Sequence, residues 1–390
     1  MYQTNKMKFY PIILVAFILL IFSKQTYAQG CSDAGVCSVG SLGLAQFKYE
    51  KLPFDKVKLE EIVEEDVEEY TSDFKAKKTA KDSLVVNTQT EQKDTIVRNK
   101  LAPETTAFNH PDSLISKNIL ISQSMFQSPK YVIMYSESYG LGDQSTAIVT
   151  SQLEATVTVL PKKLYAQVKL PYVFASGNLG STNGLGDLTL SLSYVAFNKK
   201  KTNLSFVGGV KIPTGNSDLS DNKKPLPMVY QPSLGTTDAL FGFNYRYSKW
   251  DFTVGYQHSF NANKNGYLHT LVAEDKTYNG YFESKNIKRA DDGVFRINRS
   301  FAIKKVTAST GLLFIYHLAN DKYDDAFGNR VTSKGSQGLT LNLNFSSIVP
   351  LSKKTDLVLI FAAPVKTRDA RPDGLTREFV VSAGLRFNVF

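Results

Sequence analysis

Asn183–Phe197 reads NGLGDLTLSLSYVAF. Past the glycines every second residue is apolar: Leu188, Leu190, Leu192, Tyr194 and Ala196. Thr189, Ser191 and Ser193 stand between them. A two-residue period puts the two sets on opposite faces of a strand. The apolar face needs a partner, either a protein core or lipid, and the rest of the chain chooses between them.

The same alternation returns throughout the C-terminal two-thirds. In LYAQVKLPYVF, Leu164, Ala166, Val168, Leu170, Tyr172 and Phe174 face one way, and Tyr165, Gln167, Lys169 and Pro171 the other. ALFGFNYRY (239–247) and LTLNLNF (339–345) repeat the device. About twelve such strands can be placed, near 130–140, 147–160, 164–175, 187–197, 202–213, 237–248, 250–260, 290–303, 305–318, 337–350, 355–366 and 377–390. Their connections alternate. One set is short and basic, as in PKK at 161, SKW at 248 and SKKT at 352, and the other is mostly long, as in 214–236, 261–289 and 319–336. Short turns at one rim and long loops at the other are the layout of an outer-membrane barrel, which also favours an even strand number. Closure satisfies every backbone group that lipid would leave unpaired. The expected fold is therefore all-β, an antiparallel transmembrane β-barrel of about twelve strands over residues 128–390. Lipid meets its apolar face, and aromatics such as Tyr245, Tyr247, Trp250, Tyr256, Phe260, Tyr316 and Phe345 sit toward the lipid–water interfaces.

The N-terminal third reads differently. Lys6 and Lys8 precede an apolar run of 11 residues, Ile12–Phe22, and Thr26 and Ala28 suit cleavage after Ala28. That is a signal peptide over 1–28, too short to span a bilayer as a helix. Residues 29–127 are expected to be a periplasmic segment, mostly linker and largely disordered, because a polar stretch poor in aromatics buries little apolar surface. Within it the acidic LEEIVEEDVEEY has helical spacing, so a short helix is expected at 56–70. The segments KDSLVVN (81–87), KDTIVRN (93–99) and PDSLISKN (111–118) resemble one another, and a chance likeness in a linker outweighs strand addition to a partner. Cys31 and Cys37 suit a local disulfide in an exported chain, with lipid attachment at Cys31 as the alternative.

The polar phase of the strands should line the lumen. The candidates are Glu154, Gln167, Lys169, Lys211, Asn244, Arg246, Arg296, Asn298, Asn342, Asn344 and Arg386. Five of these are cationic and one is acidic, a balance that favours anions unless the bases pair with strand-end acids such as Asp187 and Glu378. The chain ends in GLRFNVF. A last amphipathic strand closed by Phe390 suits the barrel-insertion machinery, although Phe390 falls out of phase with the apolar face of Phe379, Val381, Leu385, Phe387 and Val389, which calls for a bulge or a frayed end.

Two motifs carry a resemblance. GLGDLTLSLSY (184–194) followed by GGVKIPTGNSD (208–218) resembles the meta-pathway phenol-degradation family of outer-membrane proteins, through Gly184, Gly186, Asp187, Lys211, Pro213, Thr214 and Gly215. The resemblance extends over about 130–390 and implies a barrel with a transport role. The opening GCSDAGVC and the signal ending AQ look like those of Bacteroidetes envelope proteins. The residues themselves allow a structural reading of the motif: glycines for a sharp turn, Asp187 receiving backbone N–H groups at the strand mouth, and Pro213 ending a strand.

Chemistry of other kinds lacks a foothold. His110, His258, His269 and His317 are scattered, and there is no Gly-x-Ser-x-Gly elbow or phosphate loop. No enzyme activity, metal or cofactor is expected. The net charge of +10 is accounted for by the basic turns, and export argues against nucleic acid. The expected function is passage of small, largely hydrophobic molecules, aromatic or anionic ones among them, across the outer membrane, with the N-terminal segment and the C-terminus periplasmic. The alternative is a non-conducting barrel that acts through its extracellular loops.

Overall fold

A computed structural model describes residues 129–390 apart from Lys200 and Ala273. The expected signal peptide, Cys31–Cys37 disulfide, acidic helix and linker repeats all lie outside the described residues.

Twelve strands form the wall: β1 (Tyr131–Leu141), β2 (Ala147–Leu160), β3 (Leu164–Gly177), β4 (Asp187–Lys199), β5 (Thr202–Pro213), β6 (Asp238–Tyr247), β7 (Trp250–Ser259), β8 (Asp292–Ile303), β9 (Val306–His317), β10 (Gly338–Pro350), β11 (Thr355–Lys366) and β12 (Val380–Val389). Each pairs antiparallel with its sequence neighbours, and β12 pairs with β1 from Tyr131↔Val389 to Gly140↔Val380, which closes the barrel. Among the described residues no helix is long and apolar enough to cross a membrane.

The opening stretch behaves as its period requires. Leu190, Leu192 and Tyr194 face outward, and Thr189, Ser191 and Ser193 are buried inside. The phase breaks once, where Ala196 bulges out of register with β5 and Phe197 joins the outer face. The outer belt continues around the wall with Ile133, Leu153, Val168, Phe206, Phe241, Phe295, Leu343 and Leu385. A soluble protein does not present an apolar face of this extent to water, so lipid is its partner. Tyr247 and Trp250 flank one short turn, and Tyr256, Phe260 and Tyr316 lie toward the long-loop rim. Phe345 departs from its expected interface position, since it pairs with Thr310 and Phe361 at mid-strand.

Two boundaries differ from the periodicity. The connection after β3 is an overhanging hairpin, in which Gly180–Leu185 folds back onto Tyr172–Gly177 beyond the wall. The last strand starts at Val380, and Thr376 and Arg377 belong to the loop before it. Phe390 lies just past β12, and the β1–β12 register runs without a bulge, so its phase is that of a frayed end.

Candidate functional site

At the long-loop rim the connections fold inward over the barrel mouth and build a roof with its own apolar core. Leu226, Val229 and Tyr230 from 214–237 and Tyr267, Val272, Tyr278 and Tyr281 from 260–291 pack against Ile148, Val173 and Ala175 at the strand ends. Tyr230 is fully buried, and its hydroxyl accepts from the Leu179 N–H at 3.1 Å.

Ion pairs fasten this roof to the wall. Lys211 Nζ lies 3.0 Å from Asp238 and 3.6 Å from Asp187. Arg289 reaches Asp292 at 2.9 Å, Asp238 at 3.6 Å and Asp373 at 3.7 Å. Arg368 binds Asp373 at 2.9 Å and approaches Asp321 at 3.9 Å. His317 sits between Asp292, 2.6 Å from Nδ1, and Asp321, 2.7 Å from Nε2. Both ring nitrogens face carboxylate oxygens, so the doubly protonated ring satisfies both. Off to one side Arg371 holds Asp143 at 3.0 Å.

The charges in these loops shift as their burial dictates. Burial pushes the Asp373 carboxyl up, but Arg368 and Arg289 outweigh it and hold it well below the usual carboxylate range. For Asp143 burial wins over Arg371 and Arg377, and its carboxyl is pushed up to about 6. The two groups give opposite pH dependences. The Asp373 contribution is present above pH ~4 and is lost as pH falls below that, toward its depressed value. The Asp143 contribution is present at low pH and is withdrawn as pH rises from ~4 to 6. Asp373 is tied into the whole network and Asp143 into one pair, so hydrogen exchange of 367–379, corrected for intrinsic rates, should show less protection at pH 3 than at pH 5. Equal protection at both would remove Asp373 from the latch.

Beneath the roof, inside the wall, lies a cavity of about 210 Å³. Met228, Pro232, Ser233, Leu234 and Leu375 of the roof cover it, and side chains of the mid-barrel wall surround it. Of the sequence-derived lumen residues, Glu154, Lys169, Lys211, Arg296, Asn298 and Asn344 line it. Gln167, Asn244, Arg246 and Arg386 also lie on the inward phase but nearer the short-turn rim, and Asn342, fully buried, lies nearer the long-loop rim.

The expected surplus of lumen cations is corrected by pairing: Glu154 and Asp187, which the sequence offered, are joined by Asp238, Asp251 and Asp356, which the strand pattern did not count. Lys169 pairs with Glu154 at 3.2 Å, Arg246 with Asp251 at 2.8 Å and Arg386 with Asp356 at 3.1 Å. Lys211 is held by Asp187 and Asp238 as above. Each acid stands on a wall strand near its cation, where charge pairing is the least costly way to hold a buried ion.

The glycine-rich motif residues come together where β4 and β5 leave the wall. Asp187 pairs across the sheet with Pro213, accepts from the Leu234 N–H at 3.2 Å and from the Ser233 hydroxyl, and so ties the roof to the wall. Thr214 Oγ1 donates to the Gly186 carbonyl at 2.5 Å. The glycines serve close approach here; a left-handed backbone is not what they supply. A Cβ on Gly186 would lie 2.7 Å from the Pro171 ring, one on Gly184 would lie 3.1 Å from the Pro232 ring, and one on Gly215 would fall 1.6 Å from the Leu185 carbonyl oxygen. Gly215→Ala should therefore displace the hairpin or the roof segment at a cost of roughly 1–3 kcal/mol or more. A urea titration of the folded, heat-modifiable form reads this as a lowered midpoint, and an unchanged midpoint would show that the backbone yields freely.

Sequence reasoning missed Asp238, Arg289, Asp292, Asp321, Arg368 and Asp373. Their one signal was position, since acids or bases recur at or just beyond the loop ends of strands. It also missed the roof core, which LPMVY (226–230) and the tyrosines of 267–281 announce as apolar residues in loops otherwise polar.

No curated protein matches this chain. Among solved structures, an outer membrane channel from Pseudomonas putida F1 aligns at 16% identity, with 66% of this chain and 93% of that one covered and a TM-score of 0.44. The CymD monoaromatic hydrocarbon channel aligns at 9% identity, covering 70% and 92%, with a TM-score of 0.34. The NanC porin aligns at 8%, covering 66% and 100%, with a TM-score of 0.40. These likenesses are too slight to bear on function. Residues 144–279, from the start of β2 into the loop after β7, match a family pattern that includes the motif cluster and much of the roof. Over that stretch the chain is similar to the family described as "Putative MetA-pathway of phenol degradation".

Proposed function

We propose that this barrel is an outer-membrane channel through which small, largely hydrophobic molecules diffuse, with no energy source of its own. One observation carries the reading: a cavity at mid-barrel, lined on one side by polar groups and on another by Met134, Val358, Ile360 and Ala362, beneath loops rather than beneath a continuous wall. Loops held by side-chain contacts can yield and re-form, and a wall strand cannot without breaking its ladder. The family similarity agrees with a transport role. The short-turn rim and both ends of the mature chain are assigned to the periplasm and the roof to the outside, following the loop asymmetry of such barrels. The last strand and Phe390 are the part offered to the insertion machinery.

The buried ionic roof favours a second reading, in which the barrel stays shut and its outer loop surface does the work. Liposome swelling separates the two. Purified, folded protein should admit small neutral aromatics such as benzyl alcohol faster than protein-free liposomes do. Rates equal to those of empty liposomes would overturn the channel reading and leave the closed barrel.

A further inference from the structure

Four cations and three carboxylates line the cavity: Lys169, Lys211, Arg296 and Arg377 against Glu154, Asp187 and Asp373. Each carboxylate is already engaged, by Lys169, by Lys211, and by Arg368 with Arg289. Arg377 donates to the Gly374 and Thr376 carbonyls. Arg296 differs. It makes no ion pair or hydrogen bond among the described residues, and its Nε is buried without a partner.

Its surroundings repeat the pattern. The Asn298 Oδ1 and Asn344 Nδ2 atoms are also buried and unpaired. The register sets Asn298, Gly311, Asn344 and Ala362 side by side across four adjacent strands. Gly311 leaves the wall bare between the two asparagines, since a Cβ there would come within 2.1 Å of Asn298 Oδ1. On the far side of Asn344 the wall turns apolar, with Val358, Ile360 and Ala362 facing the cavity from β11. The Asn344 donor thus sits one strand away from an apolar strip, and Arg296 three strands away from it.

Arg296 is half-buried, and a guanidinium whose Nε is buried without a partner is costly; covering it with hydrocarbon would cost more. A planar carboxylate matches its fork and restores the lost solvation through charge-assisted bonds, to which an asparagine amide can add a donor. One guanidinium suits a single negative charge. The cavity is smaller than the roughly 300–1,000 Å³ of sites for drug-sized ligands, which limits the body to one ring or a short chain.

We propose that the cavity is a binding site for a small amphipathic monocarboxylate. The carboxylate lies on Arg296 and Asn344, and the apolar body lies against Val358, Ile360 and Ala362. The assignment rests on reading the lumen as a solute path and names the solute class for it.

The test uses the full-length protein in detergent with benzoate and benzyl alcohol as probes, read by calorimetry, beside the liposome flux of both. Wild type should bind benzoate at least about tenfold more tightly than benzyl alcohol, the order expected for one charged hydrogen-bonded pair. Arg296→Gln should erase that preference and Arg296→Lys should retain part of it, with benzyl alcohol unchanged in both. Equal binding of the two probes by wild type overturns the site without needing any variant, and so does a preference that survives in a folded Arg296→Gln protein. Benzoate binding with no flux of either probe would sink the channel and spare the site. Flux of both at equal rates without preferential binding would do the reverse.

Discussion

Replacing Arg289 by alanine should open the long-loop rim. Arg289 is buried and, among the described residues, it alone reaches all three of Asp238 and Asp292 on the wall and Asp373 in the roof. Its removal leaves Asp238 to Lys211, Asp292 to His317 and Asp373 to Arg368, with no cation joining the three. Breaking a buried pair outright costs about 3–5 kcal/mol; here each carboxylate keeps one other partner, so the cost falls below that. Roof closure is the equilibrium that bears this cost, since the wall is held by continuous strand ladders that do not include Arg289. In planar bilayers the variant should show a higher and more frequently open conductance than wild type, with an unchanged heat-modifiable band. Arg289→Lys should fall between them, because one ammonium cannot serve three carboxylates at once. Wild-type conductance in Arg289→Ala would mean that the roof core of Tyr230, Tyr267 and Tyr281 closes the mouth without help from charge.

A charge placed on the outer face should impair assembly. Leu192 lies near the middle of β4, paired with Ala166 and Gly208, and is 53% exposed on the face assigned to lipid. Arginine near the bilayer midplane of such a barrel costs roughly 2–4 kcal/mol. Leu192→Arg should lower the urea midpoint for folding into phospholipid vesicles and reduce the folded fraction. Phe327 is the control. It stands 91% exposed in a loop turn whose Asp325 side chain receives the Phe327 and Asn329 N–H groups. Phe327→Arg should fold as wild type does. If the two variants were equally harmless, the outer belt would not be facing lipid.

The wall was legible because its signal is local. Alternation of Leu, Thr and Ser in 188–194 needs no knowledge of distant residues, and basic short turns mark the rim by themselves. Inward placement of Glu154, Lys169 and Arg386 followed from the same period. Pairing did not. Asp356 and Arg386 are 30 residues apart, and only the β11–β12 register brings them opposite one another. The roof was hidden for a stronger reason. Its network joins residues from 187 to 373 through irregular loops, where no periodicity says which way a side chain points. The glycine motif shows both limits. Its position at a strand mouth could be read, but the 1.6 Å approach at Gly215 belongs to two segments meeting in space.

The central claim is that solute passes through the lumen and past a roof that moves. A disulfide lock tests it most directly. A Cβ on Gly184 would lie 3.6 Å from the Cβ of Pro232, within the roughly 3.5–4.5 Å that a disulfide spans. The pair Gly184→Cys and Pro232→Cys, with Cys31 and Cys37 changed to serine, would pin the 214–237 loop to the overhanging hairpin. Benzyl alcohol flux into proteoliposomes is then measured oxidised and reduced. The account predicts flux near that of empty liposomes when oxidised and recovery to the wild-type rate on reduction. Undiminished flux in the fully oxidised protein would contradict it, because the solute would then cross without displacing the roof.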